Sequence, residues 1–123
     1  MRTNSRPVFV AAALDAASVF VFVAIGRRNH DEDTAIDGVL RVAAPFLIAL
    51  VIGWLVSRAW SRPMSIRTGA VVWVVTVVVG LLLRNVAFDR GTATAFIVVA
   101  TLFLGSVLLG WRAIAVRYAA KRP

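Results

Sequence analysis

A carboxylate set among apolar residues is the feature of this sequence that most invites chemistry. Asp15 is the single charge in a run from Val8 to Ile25. An ionised carboxylate in hydrocarbon costs at least about 2.5 kcal/mol on insertion scales, so such a group is kept with a partner or a task. Ala11, Ala12, Asp15, Ser18, Phe22 and Gly26 share one helical stripe, small or polar apart from Phe22, which turns Asp15 towards neighbouring helices. Thr76 and Thr101 recur at similar depth in later apolar runs and would complete a polar layer. Two readings stay open. Asp15 takes up and releases a proton or holds a cation during transport, or it is a paired or protonated structural carboxyl that joins helices. No second acid and no histidine shares its depth, so a proton relay is thinly supplied.

The arginines near the ends of the apolar runs offer a second constellation. Arg41 sits about one turn inside the second run, with Asp37 four residues before it as an i,i+4 partner. Arg84, beside Asn85, closes the third run, and Arg27 and Arg28 close the first. Together they would line a basic vestibule for an anion or a lipid phosphate. Taken singly, each reads as an arginine that snorkels to headgroups. His30, Asp31, Glu32 and Asp33 are the one loop with metal-ligand residue types, and Arg27, Arg28, His30 and Asp31 form a candidate outer-loop site. One histidine and acids without a repeating spacing read better as a solvated acidic loop offsetting the two arginines than as a metal site. No cofactor is expected, since a haem would need an axial ligand inside a run.

The chain has no cysteine, which removes disulfides, thiolate metal sites and thiol nucleophiles. Serines lack a histidine partner, and neither a glycine-rich phosphate loop nor a zinc-protease pattern occurs. The reading is therefore non-enzymatic.

The elements that must hold these residues follow from composition. Of 123 residues, 60% are hydrophobic, and the charges fall between and beyond the apolar runs. Lipid rather than water is the solvent such a chain expects. Four runs, about 8–26, 36–56, 66–84 and 93–111, are each near the roughly 20 residues that cross the bilayer core as a helix. Valine-rich stretches such as Val71 to Val79 would suggest strands in water, but in lipid an isolated strand leaves its backbone unsatisfied. The expected fold is a single all-α domain, a polytopic membrane protein with four transmembrane helices in a compact bundle. The first run lacks a small-x-small cleavage site and is read as a retained span rather than a signal peptide.

A net charge of +8 would suit nucleic acid, yet the basic residues cluster at run ends where no soluble basic face exists. Nucleic acid is excluded as a partner, and membrane lipids are the expected one. Arg2, Arg6, Arg58, Arg62, Arg67, Arg112, Arg117, Lys121 and Arg122 fall on one side; Arg27, Arg28, Arg41, Arg84 and Arg90 fall on the other. The positive-inside rule then places both termini and the middle loop in the cytoplasm of a plasma-membrane protein. Gly53-Trp54 and Gly110-Trp111 are 57 residues apart, as are Arg27 and Arg84, and Phe46 and Phe103. That spacing raises the idea of two tandem hairpins, with both tryptophans expected at headgroup level.

Asp15, Gly26-Arg27-Arg28-Asn29-His30, Pro45-Phe46, Gly53-Trp54 and Arg84 together resemble the small bacterial and archaeal membrane proteins catalogued as domain of unknown function 3054. The resemblance runs from about Asp15 to Trp111 and implies four spans at this length, with no activity attached. A bundle this small expects a homo-oligomer or a larger membrane complex. The leading expectation is transport or permeation of a small solute or ion, with Asp15 as internal carboxyl and Arg41 and Arg84 as outer charges. The competing one is an accessory or assembly subunit of a larger membrane complex.

Overall fold

Backbone amides in hydrocarbon find partners most simply within their own helix, and the four apolar runs each become one. The helices are α1 (Arg6–Asn29), α2 (Ile36–Ser57), α3 (Ile66–Val86) and α4 (Thr94–Ala120). The structure is a computed structural model that describes residues 5–29, 36–86 and 94–120. Each helix contains a stretch long and apolar enough to cross a membrane, from 20 residues in α2 and α3 to 26 in α4. Large apolar side chains also face outward on all four, with Phe9, Val51, Leu82 and Leu102 each more than half exposed. An apolar exterior over a packed interior is the arrangement of a protein dissolved in lipid.

The helices run up, down, up and down. Each packs on its neighbours in the chain, and α1 meets α4 to close the bundle; α2 and α3 are in the most extensive contact, α1 and α4 in the least. Around mid-bundle the core is aromatic. The Phe22 ring stands 5.8 Å from Phe46, edge to face, and 5.7 Å from both Phe96 and Phe103. Gly80 makes room for this cluster, because a Cβ there would lie 2.5 Å from Phe46 Cδ1. Pro45, fully buried inside α2, leaves the Arg41 carbonyl without its usual donor four residues on.

The end of α4 departs most from the sequence expectation. The fourth helix continues past 111 to Ala120, so Arg112 and Arg117, expected in a tail, belong to its final turns. The stretch Ala113–Val116 holds no breaker, and arginine is a good helix former, so nothing stops the helix at Trp111.

The end of α2 is also specific. Ala59 donates its N–H to the Trp54 carbonyl at 3.0 Å and Arg58 donates to Leu55 at 3.4 Å. This is the crossed pair of bonds of a Schellman cap, with Arg58 as its left-handed residue at φ 53°. A side chain in that conformation costs about 1–2 kcal/mol, part of which a glycine would give back through its unfolded-state freedom. Arg58→Gly is therefore expected to stabilise the bundle by about 0.5–1 kcal/mol. Denaturant unfolding in detergent micelles reads this directly, and a loss of stability would contradict it.

Candidate functional site

The cap just described positions Trp54, the first of two tryptophans that converge on Asp15. Asp15 is fully buried. Its Oδ2 accepts Trp54 Nε1 at 2.8 Å and Arg112 Nη2 at 2.8 Å. Its Oδ1 accepts Trp111 Nε1 at 3.0 Å and Arg112 Nη1 at 2.9 Å. The carboxylate therefore meets four donors, two on each oxygen, all from this chain.

Arg112, also fully buried, is held as firmly as its partner. Its Nε donates to the Pro63 carbonyl at 2.9 Å, and Nη1 also donates to Leu108 at 3.2 Å, one turn back in α4. The guanidinium carbon lies 4.3 Å from the centre of the Trp111 ring. Moving two charges out of water costs several kcal/mol per ion, and only good geometry with further hydrogen bonds offsets it. Both conditions are met. The forked guanidinium matches the two carboxylate oxygens in parallel, a geometry that a lysine cannot supply.

Four segments build this cluster: the first half of α1, the end of α2, the α2–α3 connection and the final turns of α4. Two turns in the connection, with Ser61 donating to Arg58 at 2.9 Å and Ser65 to Arg62 at 3.3 Å, bring Pro63 against Arg112. Gly69, in the first turn of α3, leaves a channel for the arginine stem, since a Cβ there would sit 2.6 Å from Arg112 Cδ.

The other candidate residues do not gather around Asp15. Ser18 is buried on the same stripe but donates to its own helix, at Leu14 O, 2.7 Å. The Thr101 hydroxyl does the same to Ile97 O, 2.7 Å, while its carbonyl accepts Trp73 Nε1 at 2.9 Å. Thr76 is fully buried, and among the described residues its hydroxyl has no partner. The polar layer expected from Asp15, Thr76 and Thr101 is thus not assembled: the Thr101 hydroxyl, like that of Ser18, turns to the carbonyl one turn back in its own helix, and Thr76 does not reach Asp15. Arg41 is exposed. Arg84 is half-buried, with its guanidinium 4.1 Å over the Phe96 ring. Neither is the cation that pairs with Asp15. His30 and Asp31 lie outside the described residues, as do the side chains of Arg27 and Arg28. Among the described residues no cluster of metal-ligating side chains occurs.

Arg112 and the two tryptophans are what the sequence reading left out of the site. The sequence presents Arg112 as a topology signal and the tryptophans as headgroup-level residues; the structure adds that Arg112 and both indole N–H groups meet Asp15. A signal was present. Ala100, Leu104, Leu108 and Arg112 recur every four residues and all four are fully buried, so Arg112 continues the inner stripe of α4. The 57-residue spacing also acquires a geometric counterpart, because the two Gly-Trp pairs deliver one indole N–H to each oxygen of Asp15. The likeness does not extend to the ion pair, for the positions 57 residues from Asp15 and Arg112 are Val72 and Leu55.

Fold and site together define a polytopic four-helix membrane protein whose first and last spans are tied by a buried, tryptophan-flanked ion pair. The chain belongs to DUF3054, a protein family of unknown function, whose model matches residues 12–115. That range includes Asp15, Trp54, Trp111 and Arg112, and the resemblance drawn from the sequence holds. Comparison with curated proteins and with solved structures finds no match.

Proposed function

We propose that this protein is a non-enzymatic accessory or assembly subunit of a larger membrane complex, in which the Asp15–Arg112 pair sets the shape of the bundle. The saturation of Asp15 is the observation that carries this reading. A carboxyl that loads a proton or cation must present a free lone pair to it. Here Arg112, Trp54 and Trp111 supply two donors to each oxygen. Transport or permeation of a small solute or ion is the competing class, and it requires this cluster to open in every cycle.

Purification in mild detergent with mass spectrometry separates the two. A larger membrane partner at fixed stoichiometry is expected, and Asp15→Asn is expected to weaken that assembly. Proteoliposomes holding the pure protein are expected to show no flux that depends on Asp15. A flux that the folded Asp15→Asn variant abolishes would overturn the proposal in favour of transport.

The charge asymmetry supports a plasma-membrane orientation with both termini and the α2–α3 connection in the cytoplasm. Ser61 is exposed in that connection. Ser61→Cys is expected to react with an impermeant thiol reagent only after cell lysis, and a cysteine placed within residues 30–33 in intact cells. The reverse pattern would invert the topology.

A further inference from the structure

The end of the bundle that holds the ion pair also carries an open cleft, and its chemistry points to an occupant. The cleft is about 340 Å³. Val10 and Leu14 of α1 line it on one side and Trp111, Ala115 and Tyr118 of α4 on the other, with Met64 of the α2–α3 connection also in the lining. It lies along the seam between α1 and α4, the least extensive of the four helix contacts. Its volume is that of a small ligand pocket, about 300 Å³ or more, and its lining is hydrocarbon and aromatic.

The surroundings are as one-sided as the lining. Arg58, Arg62, Arg67 and Arg117 are exposed at this end. Arg6 sits one turn before Val10, on the α1 face that carries Val10 and Leu14. Among the described residues the one carboxylate here is Asp15, whose charge Arg112 already neutralises. An apolar slot at the end of the bundle where exposed arginines gather complements a molecule with a hydrocarbon tail and an anionic head.

We propose that this cleft binds an acyl chain of an anionic membrane phospholipid, whose phosphate is met by the arginines of the same bundle end. Trp111 couples the lipid to the ion pair. Its ring lines the cleft, while its N–H donates to Asp15 Oδ1 at 3.0 Å. A chain packed on that ring excludes water from the seam over the Asp15–Arg112 pair, so the lipid holds α1 and α4 together. Ligands that bind the folded state raise its stability in proportion to occupancy.

Competition between dioleoyl phosphatidylglycerol and dioleoyl phosphatidylcholine for the delipidated protein in detergent, read by native mass spectrometry, tests this. Phosphatidylglycerol is expected to be retained about tenfold or more over phosphatidylcholine, given the favourable contribution of each basic residue near the headgroup. It is also expected to raise the thermal midpoint where phosphatidylcholine does not. Ala115→Trp fills the cleft from α4 and Val10→Trp from α1; each is expected to remove both effects. Val98→Trp, at an exposed position of α4 outside the cleft, is expected to change neither. Replacing Arg62, Arg67 and Arg117 together by Gln is expected to erase the headgroup preference. Equal retention of the two lipids, or retention untouched by both cleft-filling variants, would overturn the proposal. A two-chain species that Ala115→Trp dissociates would assign the cleft to a second copy and overturn it equally.

Discussion

Arg112→Met will lower the unfolding free energy of the bundle by about 3–5 kcal/mol, the usual cost of leaving one partner of a buried ion pair alone. The reason is the environment of Asp15, which is fully buried and would keep only the two indole donors. Lost attraction is the smaller part of the effect; the larger part is a carboxylate left in a medium that solvates it poorly. The double variant Asp15→Leu/Arg112→Met should therefore recover at least half of the loss, because it removes the stranded charge along with the pair. It will not recover all of it, since the half-buried Trp54 and Trp111 would then hold N–H groups without their acceptor. Arg112→Lys should fall between wild type and Arg112→Met, for the charge stays and the fork is lost. Denaturant titration of the four members of this cycle gives the coupling energy. Additive losses, with the double variant as unstable as the sum of the singles, would show that the pair is not the unit that holds α1 to α4.

Gly69→Ala should destabilise the protein although alanine is the better helix former by about 1 kcal/mol. Its Cβ would lie 2.6 Å from Arg112 Cδ and 3.3 Å from Arg112 Nε. A free arginine would swing aside at little cost. This one is fixed at its Nε by Pro63 O and at its tip by Asp15, so the stem cannot move without breaking one of them. Overpacking of this kind costs about 1–3 kcal/mol, enough to outweigh the propensity gain. The sign is expected to reverse in an Arg112→Ala background, where the obstructing stem is gone and only the flexible end of Leu109, 3.2 Å away, has to give. A change of sign between two backgrounds is a signature of direct contact. If Gly69→Ala costs the same in both, the contact between the two residues is not what the glycine serves.

The two experiments also separate what different parts of the sequence say. Four helices, an apolar exterior and an inward Asp15 follow from one-dimensional facts, because the thickness of the bilayer core and the cost of an unsatisfied backbone act on each span by itself. The charge asymmetry between the two ends is equally local, since it depends only on which connection an arginine falls in. The identity of the cation that meets Asp15 is different in kind. Arg41 and Arg84 stood closer to the spans than Arg112 in the sequence reading, which ended the fourth helix at Trp111; the structure continues that helix and turns Arg112 inward. The inner stripe of Ala100, Leu104 and Leu108 pointed to Arg112, but a stripe tells only which way a side chain faces on its own helix.

Asp15 and Arg112 are 97 residues apart and lie on helices joined only through two others. Their meeting depends on the relative rotation and height of α1 and α4, which no single span determines. The same holds for the tryptophans. An indole at the end of a span suits a headgroup layer as well as it suits a buried carboxylate, and only the packing of α2 and α4 around α1 decides for the carboxylate. That Asp15 needs partners is therefore legible in a single span; which partners it meets is settled only in the assembled bundle, because pairing between distant helices belongs to their relative rotation and height.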